Sequence, residues 1–327
     1  MPCPRCRIAT PAGRLVLAPR DAALSGSRPL GVTAPMKPKV RKLFELPQIV
    51  SFSRKTPLIL VNGLAEQTYS WFGNRISWSR QFDVKIPEIL VYDGAELHRH
   101  IDAGGEITID YLTERLAVFL DQFVQSPPYH LVGSSLGGQV LLTYAARYPE
   151  KVGRLVLLCP SGLHGDENLP VMEGVRRSQY DTLVKSVFHS KRFATPRLVE
   201  AIAEKFQDRT WKKGVLRTLR GTVGHSVAPL LTQVPHPTLL IWGTEDHVIA
   251  DVPGSIRAAE QMPQSRQVVI PKCGHAPQIE KARLVNHLVS RFLRDRLKTI
   301  PPALEPARFL KGESKILVKG NGVHKGR

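Results

Sequence analysis

LVGSSLGGQVLLTYAARYP, residues 131–149, is the stretch from which the rest of the chain can be read. An aliphatic run enters it, Gly133-Ser134-Ser135-Leu136-Gly137 turns it, and an amphipathic segment leaves it and stops before Pro149. Strand, sharp turn and helix form the setting in which G-x-S-x-G makes a nucleophile elbow. The turn strains the backbone of its central residue, so the positions two residues away on either side must be nearly bare. That steric rule separates the two serines. Ser135 has Gly133 and Gly137 at those positions, whereas Ser134 would have Val132 and Leu136. Ser135 is therefore the candidate nucleophile and Gly133 and Gly137 the elbow glycines; the competing reading is a Gly-rich turn whose serines cap the next helix.

Outward from this point, β-branched and aliphatic runs alternate with helical patterns, the signature of βαβ units and a mostly parallel sheet with helices on both faces. Strands are expected at PLILV (57–61), FDVKIPEI (82–89), YHLVG (129–133), RLVLLC (154–159), TLLIW (238–242) and RQVVI (266–270). Helices are expected near 109–125, 137–147, 254–261 and 281–297; Ile109, Leu112, Leu116, Phe119, Leu120 and Phe123 recur with the period of a helix covering a sheet. About eighty residues separate Cys159 from Thr238. A connection that long must fold on itself, and 165–229 is read as a helical cap inserted before the penultimate strand. Inserted at a strand's carboxyl end, it would lie over the crevice where open α/β sheets bind ligands. The core is then 43–164 with 230–297. Met172, Phe188 and Trp211 are cap residues that could face a pocket or simply pack.

A serine hydroxyl is a poor nucleophile at neutral pH and needs a base, usually histidine. Of eleven histidines, His275 has the right address: VVIPKCGHAPQIE (268–280) puts it after the last strand, behind Gly274 and before the final helix. The carboxylate that orients it should follow the penultimate strand. TLLIWGTEDHVI (238–249) supplies Asp246 there, with Glu245 and Asp251 as alternates. The order Ser135, Asp246, His275 matches one of the known triad arrangements and not the other two. Acyl transfer also needs N–H donors for the oxyanion. The amide of Leu136 at the helix start is one candidate, and the amide of Leu64, in LILVNGLAEQ (58–67) after the first strand, is the other.

The chain has 327 residues and a formal charge of +18, which suggests an anionic partner until the charge is located. Residues 1–42 carry +8 and residues 298–327 carry +5, leaving +5 for the middle, where no concentrated basic stripe with interleaved aromatics is evident. No specific nucleic-acid partner is expected. No apolar run reaches the ~20 residues of a membrane-spanning helix, so a soluble protein is expected. Four cysteines, Cys3, Cys6, Cys159 and Cys273, fit a reducing compartment; Cys3 and Cys6 have the spacing of half a zinc site, but no second pair follows at the required distance. No metal and no cofactor are expected. The 1–42 extension, Arg-rich and nearly free of acids, reads as disordered and also has the composition of an organelle transit segment; a true start at Met36 would look the same. Cytoplasmic and organelle-targeted locations both fit. The tail from 298 reads as a basic extension with a short strand at KILV (315–318).

Taken together, these residues resemble the α/β-hydrolase family over roughly 56–296. Ser135 aligns with the family nucleophile, Asp246 with the acid of its W-G-x-x-D pattern and His275 with its G-H histidine. Asn62-Gly63 stands where the family usually has His-Gly, and Pro87-Glu88 where it often has Pro-Asp. The G-x-S-x-G-G run and the cap are similar to those of esterases and of meta-cleavage C–C bond hydrolases; the latter typically carry Trp after the histidine, where this chain has Ala276. The resemblance implies a cofactor-independent serine hydrolase of a small-molecule carboxylic ester. The alternatives are cleavage of a carbon–carbon bond beside a ketone, or a non-catalytic ligand-binding protein on the same fold. Oligomeric state is open.

Overall fold

A computed structural model of the chain describes residues 55–124, 127–165 and 179–311. The basic extension 1–42 with Cys3 and Cys6, the cap residue Met172 and the KILV segment lie outside the described residues.

Six strands form one parallel sheet in the order β2-β1-β3-β4-β5-β6: β1 Pro57–Val61, β2 Asp83–Lys85, β3 Tyr129–Ser134, β4 Val152–Leu158, β5 Thr238–Gly243 and β6 Ser265–Ile270. The central strands β1, β3, β4 and β5 read as largely apolar runs because both faces are covered, whereas the edge strand β2, Asp83-Val84-Lys85, is only half-buried. Alternation along each strand sorts their side chains into two clusters. Ile59, Val61, Leu131, Leu155, Leu157, Leu240 and Trp242 join one; Leu58, Leu60, Val132, Val156, Leu158, Leu239 and Ile241 join the other.

Against the first face pack α3 (Ile109–Phe123), α4 (Leu136–Arg147) and α8 (Val252–Ala259), through residues such as Leu116, Val140 and Ile256. Against the second pack α1 (Phe72–Trp78) and α10 (Ala282–Leu293), through Trp78, Val285 and Val289. Further helices among the described residues include α2 (Ala95–Asp102), α5 (Tyr180–Val187), α6 (Pro196–Gln207), α7 (Arg209–Thr222) and the single turn α9 (Pro277–Glu280). Their starts are chemically marked: Thr108, Thr195 and Asp208 accept from amides in the first turns of α3, α6 and α7.

Three expectations need correction. The strand read over 82–89 stops at Lys85, since Pro87 offers no N–H to continue pairing. Helices α1 and α2 fall in segments for which no helix was expected; α1 contains Gly73 and three aromatic or β-branched residues, so its intrinsic propensity is weak and burial of Trp78 holds it. The middle of the chain does have a basic face. Arg209, Lys212, Lys213, Arg217 and Arg220 share one side of α7, a periodicity hidden in linear charge counting.

The chain runs from β1 to β2 on one side and then returns to lay β3 on the other. The carboxyl ends of β1 and β3 thus flank the switch point where a crevice opens in sheets of this kind. Between β4 and β5 the chain makes a helical excursion containing α5, α6 and α7. No helix among the described residues is long and apolar enough to cross a membrane.

Candidate functional site

Ser135 is the last residue before α4, at the carboxyl end of β3, with φ 50° and ψ −117°. That left-handed conformation strains any residue with a Cβ. It is fixed from both sides: its amide donates to the Leu158 carbonyl at 2.9 Å and its carbonyl accepts from Gly138 at 2.8 Å. The two glycines are needed for close approach. A Cβ on Gly133 would lie 2.7 Å from the Gly137 carbonyl oxygen, and one on Gly137 would lie 2.5 Å from that of Val61.

The expected acid and base meet. His275 Nδ1 lies 2.8 Å from Asp246 Oδ2, and the aspartate side chain is completely buried. Burial raises the carboxyl's pKa, but the imidazole and the amides of Val248 and Ile249, donating at 2.8 and 3.0 Å, more than offset it and hold the group below its usual range. An ionised, shielded carboxylate at that distance fixes the ring's tautomer, leaving Nε2 as the proton acceptor. The alternates are engaged elsewhere: Glu245 accepts from the Thr244 hydroxyl, while Asp251 caps α8 through the Gly254 amide and pairs with His164.

Cys159 links this pair to the elbow. It follows Leu158, whose carbonyl holds Ser135, and a donor atom from each of Cys159, Asp246 and His275 lies within 4.8 Å of the other two. Burial keeps the thiol protonated, well above its ordinary pKa. These are metal-donor types, and in this structure Asp246 and His275 are joined to each other by a hydrogen bond. A second link comes from Gln278, whose Nε2 donates to the Ser134 hydroxyl at 3.1 Å.

The loop after β1 is held by side chains that sequence reading did not single out. Glu66 accepts from the Gly63 amide at 2.7 Å, from the Ser70 hydroxyl at 2.6 Å and from Gln278 at 3.0 Å. The Tyr92 hydroxyl accepts from the Ala65 amide at 3.0 Å; burial pushes this phenol up to about 12, so it stays neutral. With the Gly63, Ala65 and Glu66 amides committed, the Leu64 amide is the one in this turn with no acceptor among the described residues. The Leu136 amide lies in the first turn of α4, where helical amides lack intrahelical acceptors. Asn62 takes over the role of a loop-bracing side chain, donating to the Gln67 carbonyl at 2.9 Å. The signal for Glu66 and Gln278 was polarity beside an apolar strand end, which does not distinguish a buried brace from a solvated residue.

A cavity of about 100 Å³ opens beside the same loop, lined by Gly63, Leu136, Tyr92, Trp211, Lys205 and Glu88 among others. Ser135 and His275 are not in its wall. Phe188, the other described cap residue singled out above, stacks on Phe193 instead.

Sequence and fold comparisons agree with this architecture. The chain is 26% identical over 208 residues to a monoacylglycerol lipase from Homo sapiens, covering 58% of this chain and 61% of that protein. It is 29% identical over 181 residues to 2-hydroxy-6-oxo-6-phenylhexa-2,4-dienoate hydrolase from Comamonas testosteroni, covering 51% and 63%. The matched region thus spans about 60% of the length of these curated relatives. Among solved structures, a serine hydrolase from Cycloclasticus zankles superposes with a TM-score of 0.64 at 19% identity, over 75% of this chain and 92% of that one. The meta-cleavage product hydrolase of Pseudomonas fluorescens IP01 gives 0.60 at 21%, over 73% and 91%. The profile of the alpha/beta hydrolase family matches residues 58–288, from β1 to within α10, and with the parallel sheet and its elbow this places the chain in the alpha/beta hydrolase family.

Proposed function

We propose that the protein is a serine hydrolase that cleaves a carboxylic ester of a small or medium substrate through an acyl-enzyme. Ser135 Oγ attacks the acyl carbon while His275 Nε2 takes its proton, Asp246 steadies the resulting imidazolium, and the Leu64 and Leu136 amides receive the oxyanion. Each such donor contributes roughly 2.7 to 4 kcal/mol to the transition state. Collapse expels the alkoxide, protonated by His275, and water activated by the same imidazole releases the acid.

The reading is carried by the strained Ser135 at the head of α4 taken together with the hydrogen-bonded, buried Asp246–His275 pair. A solvated or merely capping serine has no need of that backbone. The helical excursion is read as the cap, 165–229, over the switch-point crevice. A compartment with a reducing interior, cytoplasmic or organellar, is read from Cys159 and Cys273, both free and buried. The relative from Comamonas testosteroni favours a second substrate reading, a carbon–carbon bond beside a ketone.

A fluorophosphonate probe tests the chemistry. We expect one label per chain, lost in Ser135→Ala, together with a fall in turnover of about 10⁶-fold. Retained turnover in that variant, or no labelling of the wild type, sinks the proposal; the latter leaves a ligand-binding protein on this fold. Esters of graded acyl length run beside one dienoate ketone separate the two substrate readings.

A further inference from the structure

Glu280 is a buried carboxylate, 3% exposed, that the chemistry above does not use. It ends α9, the turn that follows His275, and its side chain folds back over the same loop. Oε2 accepts from the Gly274 amide at 2.7 Å and from the His189 amide at 3.3 Å, while Oε1 accepts from the Ser190 amide at 2.6 Å. No ion pair to it is present among the described residues; backbone N–H groups from two separate segments, with the Cys273 thiol beside them, answer its buried polar atoms. One segment immediately precedes His275; the other leaves α5 of the excursion. The His275 amide donates to the Val187 carbonyl at 2.8 Å across the same seam. Gly274 is what lets the seam close, because a Cβ there would lie 2.5 Å from the Val187 carbonyl oxygen and 2.8 Å from the His189 nitrogen.

We infer that Glu280 is a positioning residue: its carboxylate clamps the loop carrying His275 to residues 187–190 of the excursion, and so sets where the imidazole stands relative to Ser135. On one side the loop is tied to the loop after β5, where the Glu245 amide donates to the Cys273 carbonyl at 2.9 Å; Glu280 ties its other side to the excursion. Without the clamp the loop keeps its fold but not its placement, and a misplacement of about 1 Å in a catalytic group costs on the order of 10²-fold in rate. The bonds to Glu280 also transmit any displacement of 187–190 to the histidine. The clamp rests on the serine hydrolase reading for its effect on rate, but not for its effect on the loop.

The full-length Glu280→Gln variant, which keeps the volume and exchanges one acceptor for a donor facing amides, is compared with the wild type in two measurements. In fluorophosphonate inactivation we expect final labelling still near one per chain and a rate constant lower by about 10 to 100-fold. In amide hydrogen exchange we expect faster exchange at Gly274, His189 and Ser190 together. An inactivation rate within twofold of wild type, or a loss confined to labelling stoichiometry, overturns the positioning role. Unchanged exchange at the three amides overturns the clamp itself. Failure of the wild type to label overturns the serine hydrolase reading and the positioning role with it, whereas faster exchange in the variant would still support the clamp. Should Glu280→Ala unfold, the Gln variant alone decides.

Discussion

The sheet and the excursion between β4 and β5 are built on different principles. Each sheet strand except the edge strand β2 places alternate side chains into two large apolar clusters, and Leu58, Ile59, Leu60 and Val61 are all fully buried. Helices α5, α6 and α7 of the excursion share a small cluster, Leu183, Phe206, Trp211 and Val215 with Tyr92 from the loop after β2, and α6 buries only Phe206 of its twelve residues, while Val227, Leu231 and Val234 on the return to β5 join the sheet's first cluster. Apolar burial at about 25 cal/mol per Å² therefore holds the scaffold, while the excursion depends on capped helix ends and backbone contacts such as those at 187–190. One region is rigid by packing, the other is attached by polar seams that can open separately.

A matched pair of truncations should break this contrast if it is wrong. Leu157→Ala, fully buried in the sheet, should lower global stability by about 2 to 5 kcal/mol in denaturant titration. Trp211→Ala should instead speed proteolysis and hydrogen exchange within 179–222 and move the main transition by less than about 1 kcal/mol. Equal shifts would show that the two regions unfold as one.

Acid should discriminate as well. Burial holds the His130 imidazole, on β3, near a pKa of about 4, against about 6.5 in an unfolded chain, with Arg154 reinforcing the shift. The unfolded chain therefore takes up the proton first as pH falls. Stability supported by the neutral ring is complete above 6.5, drops between 6.5 and about 4 by about 3 kcal/mol, and is flat below. His130→Leu should flatten that part of the pH–stability curve, and a curve of unchanged slope would refute the assignment.

The same contrast explains what could be read from sequence. PLILV, TLLIW and RQVVI appear in the structure within a residue of their expected limits; in the first two burial on both faces leaves no choice but continuous apolar runs, while in the third only Val268, Val269 and Ile270 are buried. The placement of Ser135, Asp246 and His275 just beyond the carboxyl ends of β3, β5 and β6 was legible because the apolar runs fix those ends. Glu66, Gln278 and Glu280 were not. Their partners are backbone amides and a hydroxyl brought close only by folding, and nothing local marks a carboxylate that will be buried. Helix α1 was hidden for a related reason, its stability lying in Trp78 packed under α10 rather than in its own composition.

The backbone of Ser135 has a consequence for durability. A residue in that region carries on the order of 1 to 3 kcal/mol of strain that glycine would not. Among inactive forms, Ser135→Gly should melt at a higher temperature than Ser135→Ala, although both lack the hydroxyl. At this position the fold keeps a less robust residue than the geometry would prefer, and selection for longevity alone would erase the hydroxyl from the turn.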